Sequence, residues 1–169
     1  EMMEAGIDSF KIEGRMKTAL YVATVARTYR KAIDDYMESE EKYRANMEYY
    51  KREIAKCTYR QFTTGFYFGK TDSESQIYDS NTYVKNYTYI GTVREVTPDG
   101  CVCFEQKNKF LVGEKLEAMG FDGTNIECEV QAIYDEKENS MDSAPHPKQK
   151  LRVKLDKELE TGIILRRKE

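Results

Sequence analysis

The chain has 169 residues, of which 40% are hydrophobic and 34% are charged, and its formal net charge is −3. This composition is typical of a globular protein, and the negative charge argues against a protein that binds nucleic acid through a wholly basic surface. No apolar run approaches the roughly 20 residues of a membrane span, and four Cys without a paired framework indicate a reducing cytoplasm. We therefore expect one or two small cytoplasmic domains with no membrane partner.

Residues 1–56 predict a strand followed by two helices. Polar and apolar residues alternate over residues 9–13, and Gly14 ends that run. Thr18 is a candidate N-cap for the first helix, and Ser39 is one for the second. The predicted apolar faces comprise Val22, Val25, Ala26, Tyr29, Ile33 and Tyr36 in the first helix, and Tyr43, Met47, Tyr50 and Ile54 in the second. Because the connection between them is about two residues long, the helices should pack antiparallel or cross at a sharp angle.

Residues 57–82 predict a linker rather than a packed element. The stretch "CTYRQFTTGFYFGK" combines β-branched and aromatic residues with two Gly, and residues 71–82 form a polar, turn-rich sequence typical of an exposed loop.

From residue 83 to residue 169 the pattern is that of short strands. Pro98, Asp99 and Gly100 predict the turn of a hairpin, and further strands are predicted over 115–119, 126–134 and 151–155 and at the end of the chain. Five or six strands at this spacing predict a small closed antiparallel barrel.

Several motifs resemble one known family. "AGIDSFKIEGRMK" followed by "YVATVARTYRKAID" is similar to the end of the catalytic barrel in the collagenase-like peptidases, family 32 of unknown catalytic type. "TTGFYFGK" resembles the segment that follows that barrel, and "EQKNKFLVGEKLEAM" and "SAPHPKQKLRVKLDKELETGIILRRK" resemble the family's C-terminal domain. The resemblance covers nearly the whole chain, with its motifs in the family's order.

The resemblance implies an α+β chain in three parts. A helical pair at residues 1–56 would be the remnant of a TIM-like catalytic barrel, residues 57–82 a linker, and residues 83–169 a small antiparallel β-barrel domain. Residues 9–13 would then be the last strand of a barrel whose other strands lie outside this chain. We expect them to be disordered, paired with another copy, or packed on the helices, and not part of a parallel sheet of several strands.

The resemblance also implies what the longer protein does. Relatives are named as proteases, and several are tRNA or rRNA hydroxylation proteins. Some members carry an iron–sulfur cluster on cysteines of the upstream catalytic domain, which would be the main partner of this chain. No cofactor and no metal are predicted within the chain itself.

The first candidate site lies at the end of the predicted strand. Glu13 and Arg15 flank Gly14, where a barrel enzyme places its active-site groups. Arg15, together with Lys11, is a candidate for binding a carboxylate or phosphate of a substrate. The alternative is that Glu13 and Arg15 pair only to tie the turn to the next helix. In this chain alone we expect no catalysis, because the rest of the pocket is missing.

A second candidate site lies in the strand region. The predicted substrate-binding residues there are Lys107, Lys109, His146, Lys148 and Lys150. Further basic residues in the same region are Arg152, Lys154 and Arg166, Arg167 and Lys168, and candidate stacking rings are Tyr59, Phe66, Tyr67 and Phe68. Small β-barrels often bind RNA through one face and its loops. The alternative is a solvated strand face, with the aromatic residues packing the linker.

The cysteines admit two interpretations. Cys101 and Cys103 are two residues apart on one strand face, and Cys128 and His146 are the residues that would complete a four-ligand metal site. Because free Cys is among the most buried residue types, we predict core thiols, and a structural role for Cys57 as well.

Three functions remain open on the sequence. The first is an accessory domain that helps bind a tRNA uridine substrate for hydroxylation by the catalytic domain. The second is a substrate-recognition domain of a collagenase-like protease, and the third is a purely structural or homodimerisation domain.

Overall fold

The computed structural model describes residues 1–57, 64–71 and 85–169, in which three helices precede ten short strands. Most of the predicted linker lies outside the described residues, as do Tyr59 and nearly all of the predicted polar loop. A search of the described helices finds none with the length and apolar character that crossing a bilayer requires.

The helices begin at the predicted N-caps. Helix α1 spans Ala19–Glu38, and the Oγ1 atom of Thr18 accepts a hydrogen bond from the backbone N–H of Tyr21 at 3.3 Å. Ser39 ends α1 and caps α2, Glu40–Ala45, by accepting from the N–H of Lys42 at 3.1 Å. The predicted second helix is divided into two, because the helical conformation is interrupted at Asn46. The second part, α3, spans Met47–Ile54.

A buried carboxylate accounts for that break. The side-chain amide of Asn46 donates to Asp35 at 3.0 Å, and the hydroxyl of Tyr50 donates to the same oxygen at 2.6 Å. Lys31 approaches Asp35 at 3.2 Å. Burial on its own raises the pKa of Asp35, but the hydrogen bonds from Tyr50, Asn46 and Lys31 outweigh it and bring that pKa down to about 2. Three elements of the helical part thus converge on one negative charge.

Helix α1 does not bury the predicted apolar face. Val22 and Tyr29 of that face are 46% and 48% exposed, whereas the polar residues Thr24 and Thr28 are buried. Thr28 can be buried because its hydroxyl donates to the carbonyl of Thr24 at 2.7 Å. The side of α1 that faces the sheet is therefore largely polar, and of the predicted face only Val25 is fully buried.

The predicted strand at residues 9–13 has no strand conformation in the structure. Residues 6–10 and Ile12 instead line a cavity of about 610 Å³ together with Ala26, Tyr29 and Ile33 of α1. An isolated strand has no neighbouring strand with which its backbone groups can form hydrogen bonds. The segment is not a strand here, and it lies beside the apolar residues of α1 that the sheet does not cover. In the described residues the segment is not part of a parallel sheet, as expected, and it lies beside α1 with residues 9 and 11–13 exposed.

The rest of the described chain is antiparallel sheet. The strands are β1 Tyr87–Thr92, β2 Glu95–Val96, β3 Val102–Glu105, β4 Phe110–Leu111, β5 Lys115–Met119, β6 Asn125–Tyr134, β7 Ser140–Met141, β8 Ser143–Ala144, β9 Lys150–Leu155 and β10 Ile164–Lys168. Their hydrogen-bonded order is β1-β10-β5-β6-β9-β3-β2, with β7 paired to β6 and a separate β4-β8 ladder. The antiparallel prediction is confirmed. The pairing traces an open path that ends at β1 and β2, so neither a closed barrel nor a remnant of a TIM barrel is shown.

One face of the sheet carries the hydrophobic core. Leu151, Val153 and Leu155 alternate inward along β9, as predicted. The same core includes Ile90, Phe104, Phe110, Val130, Ile133 and Leu165. Strand residues of the opposite parity point to the other face, part of which is covered by the helices.

A buried charge network, consisting of Arg27, Glu53, Lys56, Glu117 and Arg166, joins the helices to that other face. Arg166 is fully buried and contacts Glu53 of α3 at 2.9 Å and Glu117 of β5 at 2.6 Å. Arg27 of α1 and Lys56 each approach Glu53 at 2.7 Å. Burial raises the pKa of Glu53, but the hydrogen bonds from Lys56 and Arg166 and their positive charges lower it by more. Glu53 is therefore ionised and balances three cations.

Replacing Glu53 by Gln should destabilise the chain by about 3–5 kcal/mol, since removing one partner leaves buried cations without their counter-charge. Urea denaturation of the chain at neutral pH measures this loss. Glu48→Gln is the matched control, because Glu48 is 82% exposed and its ion pair within the described residues is with Lys51; it should cost less than about 0.5 kcal/mol. Equal stabilities of the two variants would contradict the role of the network.

Lowering the pH should remove the contribution of Asp35 to the free energy of unfolding. Its pKa is about 2 in the folded chain and roughly 3.9 when unfolded. The contribution is therefore complete above the unfolded-state value and is lost as the pH falls toward the folded-state value. Urea midpoints measured from pH 5 to 2 should show the wild type more stable than Asp35→Asn at the upper end, with the difference shrinking as the pH falls. Asp34→Asn, at an exposed ion pair with Arg30, should show no such convergence.

Candidate nucleic-acid interface

Five of the predicted substrate-binding residues lie on two adjacent loops. The loops 106–109 and 145–149, together with Lys150 at the start of β9, are named here the basic loop pair; they carry Lys107, Lys109, His146, Lys148 and Lys150. The N–H of Lys148 donates to the carbonyl of Gln106 at 2.9 Å, and the N–H of Gln106 donates to the carbonyl of Gln149 at 2.8 Å. The buried amide of Gln106 also donates to the carbonyl of Ala144. The prediction that these residues belong together is therefore supported by direct contacts between their loops.

One carboxylate lies among the lysines. Glu105, at the end of β3, pairs with Lys107. That hydrogen bond, the charge of Lys107, and the charges of Lys148 and Lys150 all lower the pKa of Glu105. Lys107, Lys148 and Lys150 thus all act on Glu105, and together with Lys109 these cations outnumber Glu105 and Glu136, the carboxylate 3.6 Å from Lys150, in a region that is acidic overall.

A groove adjoins the basic loop pair on the outer face of the sheet. This sheet groove has a volume of about 350 Å³. Its lining includes Tyr89, Thr92, Arg94, Glu95, Cys103, Glu105, Lys107 and Lys150. An aromatic ring beside several cations is the combination that single-stranded nucleic-acid sites use, because a ring stacks on a base while the cations bind phosphate.

A bulge in β1 shapes the groove. The pairing of β1 with β10 shifts between Tyr89 and Gly91, so that Ile90 is an extra residue in the register. Gly91 is needed here, because a Cβ atom at that position would come within 2.4 Å of the Phe104 ring. Bulges of this kind re-aim the side chains around them, and here Tyr89 and Thr92 come to the same side, with their hydroxyls 2.7 Å apart.

Sequence reasoning missed Tyr89 and Arg94 as site residues. Both lie on strand segments of the predicted hairpin, where alternation with the buried residues Ile90 and Val93 was the available signal that they point outward. Which outward residues border a groove depends on how β1, β3 and β9 come together in space, which is a property of the tertiary structure.

The remaining candidates lie elsewhere. Lys11 and Arg15 do not line the sheet groove. Lys11 pairs with Glu13 at 3.8 Å, and Glu13 accepts a hydrogen bond from the backbone N–H of Arg15 at 3.0 Å, so these residues form an exposed local turn. Whether they border a pocket in a longer protein stays a prediction.

Several other basic residues already form ion pairs or hydrogen bonds within the chain. Arg166 is fully buried in the charge network and cannot reach RNA. Arg152 contacts Glu138 at 3.0 Å and Asp99 at 3.2 Å. The Nζ atom of Lys154 donates to the carbonyl of Asp99 at 2.6 Å.

The aromatic residues Phe66, Tyr67 and Phe68 are all more than half exposed.

The cysteines are free thiols. Cys57, Cys101 and Cys128 are buried, as predicted, whereas Cys103 is half-buried. Cys128 belongs to the hydrophobic core, and its burial raises the pKa of the thiol to about 12. Within the described ranges, no three His, Cys, Asp or Glu side chains are grouped to hold a metal ion.

Comparison with known families matches two parts of the chain. Residues 1–77 match peptidase family U32, and residues 85–166 match the peptidase family U32 C-terminal domain. The division between the two matches falls in the predicted linker, before the first strand of the sheet.

Comparison with individual proteins gives relatives with two kinds of name. The chain is 36% identical over 168 residues to tRNA hydroxylation protein P1 of Bacillus subtilis, covering 99% of this chain and 40% of the relative. It is 32% identical over 125 residues to a collagenase of Porphyromonas gingivalis, covering 71% of this chain and 34% of the relative. The chain therefore spans well under half the length of these curated relatives.

A solved structure is also similar to the second half of the chain. It is the C-terminal domain of a Geobacillus thermoleovorans protein assigned to the U32 peptidases, with 28% identity and a TM-score of 0.43. The match covers 47% of this chain and 99% of the solved one.

The bulge predicts that a single methyl group added at Gly91 lowers the stability of the folded chain. Gly91→Ala should destabilise the chain by about 1–3 kcal/mol, because the new Cβ must displace a buried aromatic ring. Gly14→Ala is a suitable control, since the added Cβ would lie no closer than 3.1 Å to a neighbouring side chain, that of Val22. Thermal unfolding of both variants measures the difference, and a Gly91→Ala variant as stable as the control would show that the close approach to Phe104 is not a constraint.

Proposed function

The chain belongs to peptidase family U32, and on that premise we propose that its sheet domain is an accessory module that binds the RNA substrate of a tRNA-hydroxylating protein. The observation that carries the proposal is the sheet groove with the adjoining basic loop pair, where Tyr89, Arg94, Lys107 and Lys150 meet. The relative with the most extensive match described above is named a tRNA hydroxylation protein. In this proposal the reacting groups, with any iron–sulfur cluster, belong to a catalytic domain elsewhere in a longer cytoplasmic protein.

The buried charge network supports an accessory role. Arg166 of the sheet pairs with Glu53 of α3, and Glu53 pairs with Arg27 of α1. In the proposal, the helical part belongs with the catalytic domain. A sheet held to it by buried ion pairs would present bound RNA in a defined orientation.

Recognition of a collagen-like peptide is the second candidate, favoured by the relative named a collagenase. Collagen chains adopt a polyproline II conformation, and proteins bind proline-rich segments of that conformation in grooves lined by aromatic rings. The sheet groove combines one exposed ring with cations, and this suits phosphate better than proline. A dimerisation role remains a further prediction.

Titration of the 169-residue chain with an unmodified tRNA transcript, over roughly 50 to 200 mM salt, tests the proposal. We expect binding that weakens linearly on a log–log plot, because each phosphate contact releases counterions. Replacing Lys107 and Lys150 together by Gln should reduce the magnitude of the salt slope by roughly 1.5.

The matched control is Lys51→Gln with Lys115→Gln. These lysines are 65% and 66% exposed, lie outside the groove, and change the net charge by the same amount. The proposal is wrong if tRNA binding has no salt dependence, or if the control pair reduces the slope equally. Retention of the chain on immobilised gelatin, without binding of tRNA, would favour the peptide-recognition candidate instead.

A further inference from the structure

Two hydrogen bonds order the chain at Tyr89, one to its backbone and one to its side chain. Its backbone carbonyl accepts a hydrogen bond from the side-chain amide of Asn108 at 2.7 Å. Its hydroxyl lies 2.7 Å from Thr92 Oγ1, across the β1 bulge. The N–H of Lys107 donates to the carbonyl of Ile90 at 2.8 Å and fixes the loop beside the ring. The ring is therefore an ordered, half-buried wall of the sheet groove before any ligand binds.

The cations of the groove differ in how far they are neutralised. Lys107 is paired with Glu105, and Lys150 lies 3.6 Å from Glu136. The guanidinium of Arg94 is exposed and has no hydrogen-bond or ion-pair partner among the residues that the structure describes. Arg94 is thus the cation that is free to bind a phosphate without first breaking a contact.

The size of the groove limits what it can hold. A volume of about 350 Å³ lies at the small end of the roughly 300–1,000 Å³ range of ligand sites. It suits a single base with its sugar and not a paired helix. In a duplex, moreover, each base is stacked and paired, so a ring in a sheet groove cannot reach its face.

From these contacts we infer that the groove is a subsite for one unstacked ribonucleotide, with its base on the Tyr89 ring and its flanking phosphates on Arg94 and Lys107. This rests on the proposed function, and it specifies the class of RNA: single-stranded or loop segments are bound in preference to duplex. Because every base has a π face, stacking here is tolerant of sequence. The base to be modified is then chosen elsewhere in the longer protein.

Fluorescence anisotropy with labelled short RNAs tests this subsite in the 169-residue chain. The probes are an oligouridylate, an abasic ribose-phosphate chain of equal length and charge, and an RNA duplex of the same length. Wild type should bind the oligouridylate at least about five-fold more tightly than the abasic chain, which is the lower end of what one stacked base contributes. It should also prefer the oligouridylate to the duplex.

Tyr89→Leu should lose that same factor for the oligouridylate and nothing for the abasic chain. The two changes are then non-additive in a double-mutant cycle, as expected only when Tyr89 and the bases are in contact. Tyr89→Phe keeps the ring and should retain the affinity. Tyr134→Leu is the control, since Tyr134 packs on Arg152 at 4.3 Å outside the groove; it should leave both affinities unchanged.

The outcomes separate this inference from the proposed function. Salt-sensitive binding in which Tyr89→Leu weakens both probes equally, or in which duplex binds as tightly as single strand, overturns the nucleotide subsite and leaves RNA binding intact. Absence of binding to any RNA overturns both. Because the abasic probe leaves the protein unchanged, its comparison with the oligouridylate holds even if Tyr89→Leu were to unfold.

Discussion

The buried ion pair between Arg166 and Glu53 is the contact on which the arrangement of the two parts depends. Arg166 is fully buried on the outer face of β10, and Glu53, also buried, is the anion of α3 that reaches it. A buried charge without a partner would lose roughly several kcal/mol of hydration free energy. Docking of α3 over β10 removes Arg166 from water and therefore requires a counter-charge, which Glu53 supplies. The polar character of the docked side of α1 follows from the same requirement, because Arg27 must also reach Glu53.

This docking divides the outer face of the sheet into two regions with different properties. Around Arg166, Glu117 and Asn125 the face is covered by the helices and its charges are paired. Farther along β1 the same face is open, and the bulge between Tyr89 and Gly91 marks the change. The sheet groove therefore begins where the helices end. Its position is a consequence of how far α1 and α3 extend over the sheet, and not of any motif within the groove.

Local signals in the sequence predicted the elements well. Thr18 and Ser39 cap helices because capping needs only a side chain and a backbone N–H a few residues apart. Leu151, Val153 and Leu155 point inward because alternation is a local property of strands. The break at Asn46 was not predictable in this way, since it depends on Asp35 eleven positions earlier.

The buried side of α1 and the residues of the sheet groove were harder to predict, because both depend on residues that are far away in the sequence. The apolar stripe of α1 predicted burial of Val22 and Tyr29, whereas a polar side is buried because the sheet offers charged partners to it. Arg166 looked like part of a basic surface for the same reason: nothing near it in the sequence reveals Glu53. The sequence placed Lys107 and Lys148 in two separate basic stretches, and only the fold brings those stretches together and sets Tyr89 and Arg94 beside Lys107.

The balance of charge also explains why an RNA-binding module of this kind would work as an accessory. The chain carries a net charge of −3, so beyond a Debye length of about 8 Å at physiological salt it does not attract a polyanion. Attraction is confined to the groove and the basic loop pair, where five cations outnumber three anions; they are Arg94, Lys107, Lys109, Lys148 and Lys150 against Glu95, Glu105 and Glu136. Such a surface gains little from electrostatic steering and acts on RNA that is already close. A second RNA contact on the same longer protein would raise the local RNA concentration, and a weak but oriented site then contributes through effective concentration.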